Sequence, residues 1–179
     1  MFEKSQVVSM IALLTMSMGV STASADEKQA LIDDALSAAP DAISMSATIM
    51  DWEGNVLQEG SNGFTCFPTP PVLQGKAPMC LDESWMAWAD SWMNKKSFRA
   101  EKVGTGYMLA GDGGASNIDP FAEGPTDDNE WVVSGPHLMT IVPDPAALEG
   151  IPTDPAYGGP FVMWKGTDYA HIMVPTAGK

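Results

Sequence analysis

A chain of 179 residues with 9 Lys+Arg against 23 Asp+Glu carries a formal net charge of −14, which excludes a basic nucleic-acid binder. A hydrophobic content of 45% excludes a solvated acidic tail, and the length suits one globular domain.

Residues 1–25 read as a secretory signal peptide. Lys4 lies near the start, Val7–Val20 is apolar, and Ala23-Ser24-Ala25 is the small-residue pattern after which cleavage is expected. The apolar run is shorter than the roughly 18–20 residues a spanning helix needs. The secreted domain is then 26–179, with no membrane association once the leader is removed, and loss of Glu3 and Lys4 leaves its charge at −14. Export places Cys66 and Cys80 in an oxidising compartment where two cysteines allow one pairing, so a disulfide is expected. They lack the Cys-x-x-Cys spacing of redox-active or metal-binding thiols.

From Asp26 to Ala39, apolar residues at helical spacing and acids in the first turn predict an amphipathic helix ended by Pro40. Ile43–Met50, the turn-forming Asp51–Asn55 and Val56–Gln58 predict a hairpin, a third strand is expected near Phe64–Phe67, and the Pro-rich stretch from Pro68 to Pro78 reads as a loop. Leu81–Lys96 is the strongest helix, with Asp82 as its cap. Trp85, Trp88 and Trp92 share one face, a stripe suited to core packing or to stacking on a sugar or aromatic ligand. A strand at Thr105–Leu109 precedes the Gly-rich loop Gly111–Asp119, and Trp131–Val142 reads as two strand pieces broken at Gly135-Pro136. Asp144-Pro145 starts a short helix, and Pro160–Lys165 and Tyr169–Val174 are the last strands. The expected class is α+β, with a mostly antiparallel sheet of short strands, one strong Trp-bearing helix and one or two short helices.

His137-Leu138-Met139 and His171-Ile172-Met173 place the chain's two histidines each two residues before a methionine in an apolar strand. Alternation along a strand puts His137 with Met139, and His171 with Met173, on one face. If the strands are neighbours, imidazoles and thioethers converge in a set suited to copper as Cu(I), with Met163 as an additional candidate. The competing reading is packed methionines and neutral buried histidines hydrogen-bonded to Asp112, Asp119 or Asp168. Asp112, Asn117 and Asp119, and separately Asp127, Asp128 and Glu130, are oxygen donors without the EF-hand spacing and read as solvated loops. No hydrolase elbow, zinc-protease helix, phosphate loop or dinucleotide fingerprint occurs, and a Ser134, His137, Asp119 triad rests on residue types alone.

The strings Asn62-Gly63-Phe64-Thr65-Cys66-Phe67-Pro68, Pro78-Met79-Cys80-Leu81-Asp82, Gly135-Pro136-His137 and Val162-Met163-Trp164-Lys165-Gly166-Thr167 with Tyr169-Ala170-His171 resemble an uncharacterised family of small secreted bacterial proteins. The resemblance covers nearly the whole mature chain. It implies export to a bacterial periplasm and one domain, and it transfers no catalytic residue. Three functional readings stay open: a periplasmic copper-binding protein using His137, Met139, His171 and Met173, a secreted hydrolase, and a non-catalytic binding or structural module.

Overall fold

The computed structural model describes residues 22–73 and 75–176; most of the expected leader lies outside them. Its α+β architecture has helices α1 (Thr22–Leu36), α2 (Asp41–Ser44) and α3 (Glu83–Met93). The main sheet is built from β1 (Thr48–Met50), β2 (Val56–Gln58), β3 (Thr65–Phe67), β4 (Met79–Leu81), β5 (Gly104–Met108), β8 (His137–Ile141), β9 (Phe161–Met163) and β10 (His171–Pro175). A small second sheet pairs β6 (Ala115–Ser116) with β7 (Trp131–Val132). The main strand order is β2-β1-β3-β4-β5-β8-β10-β9, antiparallel throughout except for the β1–β3 pair.

Alternation divides the buried strand residues between two cores. Cys66, Cys80 and Ile49 pack with Ile32, Ala35, Ala38 and Ala39 of α1 and the turn after it. Leu81, Met108, Met139, Ile141, Met163 and Met173 pack with Trp85 and Trp88 of α3. Cys66 and Cys80 are directly opposed on β3 and β4 and form the expected disulfide.

Helix α3 starts where expected because Asp82 does two jobs. Its Oδ1 accepts from the Trp85 amide at 2.9 Å, capping the helix, and its Oδ2 accepts from the Thr105 amide of β5 at 2.6 Å. Close approach of α3 to the sheet depends on glycine: a Cβ on Gly104 would lie 2.7 Å from Ser84 Cβ and from Ile141 Cγ1.

Several boundaries differ from the sequence reading. Helix α1 runs from Thr22 to Leu36 and stops before Pro40, where the Ser37 hydroxyl donates to the Asp34 carbonyl at 2.6 Å. Residues 41–44 form α2, so the first strand starts only at Thr48. Strand β4 was not expected, and β6 lies inside the expected Gly-rich loop.

Candidate functional site

Strands β8 and β10 are neighbours, and their register fixes the imidazoles and thioethers on one buried face. Met139 lies directly opposite Met173. On one side of that pair, His137 lies opposite Met108 of β5 and Pro175 of β10. On the other side, His171 lies opposite Met163 of β9. Directly opposed residues have Cβ atoms about 5 Å apart, so each imidazole has one methionine across from it and another two residues along its own strand. The two histidines sit four positions apart across this register, about 14 Å from backbone to backbone. The face therefore holds two imidazole–thioether clusters sharing the Met139–Met173 pair, rather than a single point on which His137, Met139, His171 and Met173 all meet. Met108 went unnoticed in the sequence because nothing near it repeats the His-x-Met spacing.

Both rings are pinned the same way. His137 Nδ1 is 2.7 Å from the Gly135 carbonyl, and His171 Nδ1 is 2.9 Å from the Tyr169 carbonyl. A carbonyl only accepts, so each Nδ1 donates, and in the neutral ring each Nε2 carries the lone pair. Burial pushes the His171 imidazole down to about 4; the Tyr169 carbonyl works in the other direction, and charge on His137 lowers it further.

Around His171 stand three indoles nearly perpendicular to it, with ring centres at 5.3 Å for Trp85, 5.7 Å for Trp88 and 5.1 Å for Trp164. Trp88 stacks on Trp164 and on Trp92, and Trp92 stacks on Phe121. The Trp stripe is thus core, with Trp85 and Trp88 buried and Trp92 half-buried. Trp164 adopts φ 57°, a left-handed conformation that a bulky residue holds only when its surroundings compel it. Its amide donates to the Asn117 carbonyl at 2.8 Å, and its Nε1 donates to the Ser116 carbonyl at 2.6 Å. The Nε1 atoms of Trp85 and Trp88 are buried and without partners.

The carboxylate that faces His137 is Asp112, with Oδ2 3.8 Å from Nε2. Asp119 instead accepts from the Phe121 amide. With Nδ1 on a carbonyl and Nε2 facing Asp112, His137 has no nitrogen committed to the Ser134 hydroxyl, which is itself buried without a partner. A Ser-His couple for acyl transfer is not assembled. In the second cluster Asp128 accepts from the Thr126 hydroxyl at 2.8 Å, and Glu130 Oε2 accepts from the Asn117 side-chain amide at 3.2 Å. Among the described residues no group of three or more His, Cys, Asp or Glu side chains could hold a metal ion. No helix among them is long and apolar enough to cross a membrane.

No family model, curated protein or solved structure matches this chain.

Proposed function

We propose that the chain is an exported, periplasmic protein that binds Cu(I) at the His171 cluster, through Nε2 of His171 and the thioethers of Met163 and Met173, with Met139 beside them. The observation that carries this reading is the pinned tautomer of a buried imidazole in a row of methionines. Metal-ligating histidines regularly donate their second ring nitrogen to a carbonyl or carboxylate, which fixes the tautomer and orients the lone pair. Thioether and imidazole suit the soft Cu(I) ion, and neither His171, with its depressed pKa, nor a thioether takes up a proton at neutral pH. The −14 charge raises the local concentration of any cation. Access requires the Trp164 and Trp88 indoles to shift, because the ligands are buried beneath them.

Competition for Cu(I) against a calibrated chelator tests the reading. Leucine conserves methionine's volume, so Met163→Leu and Met173→Leu keep the fold at a cost below about 1.5 kcal/mol. Each is expected to weaken Cu(I) binding by about tenfold or more, since each removes a sulfur ligand. The wild-type protein should also lose indole fluorescence as the ion is bound, given three Trp rings within 5.7 Å of His171. Equal affinities in wild type and both variants would end the copper reading.

A further inference from the structure

At the other end of the methionine row, the contact between Asp112 and His137 is incomplete. His137 is 2% exposed, its Nδ1 donates to the Gly135 carbonyl, and its Nε2 is buried without a hydrogen-bond partner. Facing Nε2 at 3.8 Å is Asp112 Oδ2, too far for a hydrogen bond. In the neutral ring, two lone pairs would then confront one another out of water, an arrangement that gains nothing unless something positive lies between them.

Asp112 is held in place independently of the histidine. Its Oδ1 accepts from the amides of Gly114 and Ser134, each at 2.9 Å, and its own amide donates to the Ser134 carbonyl at 3.0 Å. Gly111, at φ 83°, turns the chain back so closely that a Cβ there would meet the Ser134 carbonyl oxygen at 3.0 Å. A fixed carboxylate oxygen and a tautomer-fixed ring nitrogen thus face each other across a gap that no hydrogen bond closes.

We propose that Asp112 Oδ2 and His137 Nε2 form a second metal site, for a borderline divalent ion such as Zn(II), with water completing its shell. Ligand bonds of about 2.0–2.1 Å place two donors roughly 3.4 Å apart at a tetrahedral ion, so closure of the 3.8 Å gap takes only a few tenths of an ångström. Imidazole with carboxylate is the donor set such ions take, whereas the site around His171 offers sulfur. Asp112 keeps 14% of its side chain exposed, which gives the ion a route that the buried thioethers lack.

The test is Zn(II) titration of the mature protein by calorimetry, in parallel with Asp112→Asn, His137→Gln and Met173→Leu. Near-ultraviolet circular dichroism establishes that each variant keeps its aromatic packing. One equivalent should bind wild type and Met173→Leu alike, and affinity should fall at least tenfold in Asp112→Asn, which preserves the carboxylate's shape, and in His137→Gln. Zinc binding that is equal in wild type and Asp112→Asn, or absent from wild type, would overturn the proposal and leave the gap to a proton or a water. Because Zn(II) and the Asp112 variant probe this end, and Cu(I) and the Met163 variant the other, either site can fail while the other stands.

Discussion

His171 couples the site to folding through its proton. Its ring is buried, and its pKa falls from an ordinary 6.5 to about 4 in the folded chain. Above pH 6.5 the ring is neutral in both folded and unfolded states, and stability is undiminished. As pH falls from 6.5 towards 4, the unfolded chain takes up a proton that the folded chain refuses, so stability declines over that window by about 3 kcal/mol. Urea unfolding at pH 7 and pH 4 should show this loss in wild type and a loss smaller by about that amount in His171→Leu. An identical pH dependence in both proteins would mean that the ring is not shielded as described. The His-x-Met spacing was legible in the sequence because alternation puts i and i+2 on one face whatever the partner strand. The opposed residues Met108 and Met163 depend on register, which one sequence does not specify, and only Met163 was named from sequence.

Elements with their own local signals were readable, and those that depend on partners were not. Helix α3 announced itself through Asp82, its Trp spacing and its length, and β8 and β10 through apolar runs beside Gly-Pro and Gly-Thr breaks. Strand β4 was hidden because Met79–Leu81 is only three residues long, follows a proline-rich loop and exists by pairing with β3 and β5. Ile43 and Ser44 read as the start of the strand expected over Ile43–Met50 but belong to α2, because Pro40 leads into a turn in which its carbonyl accepts from the Ile43 and Ser44 amides. The disulfide joins β3 to β4 across the loop at a sequence separation of 14. Closing a loop of that size contributes about 3 kcal/mol in the chain-entropy account. Reduction, or paired Cys66→Ser and Cys80→Ser substitution, should therefore lower unfolding free energy by about that amount while leaving Cu(I) affinity unchanged, because the bridge belongs to the α1 core. A large loss of copper affinity in that variant would show that the two cores do not act separately.

At the scale of the molecule, the sheet separates a staple from a candidate site. One face carries the cystine and α1, while the other carries the methionine row, two pinned imidazoles and a stack of indoles. Net charge was fully legible from composition. The aromatic enclosure was legible only in part, since Trp85, Trp88 and Trp92 share a helix, whereas Trp164 comes from beyond β9 in a left-handed conformation that sequence does not reveal. The most direct measurement of the central claim is X-ray absorption at the copper edge of the Cu(I)-loaded protein. Sulfur scatterers at about 2.3 Å with one imidazole are expected, with loss of part of the sulfur signal in Met163→Leu. A shell of nitrogen and oxygen alone, unchanged by that substitution, would contradict it.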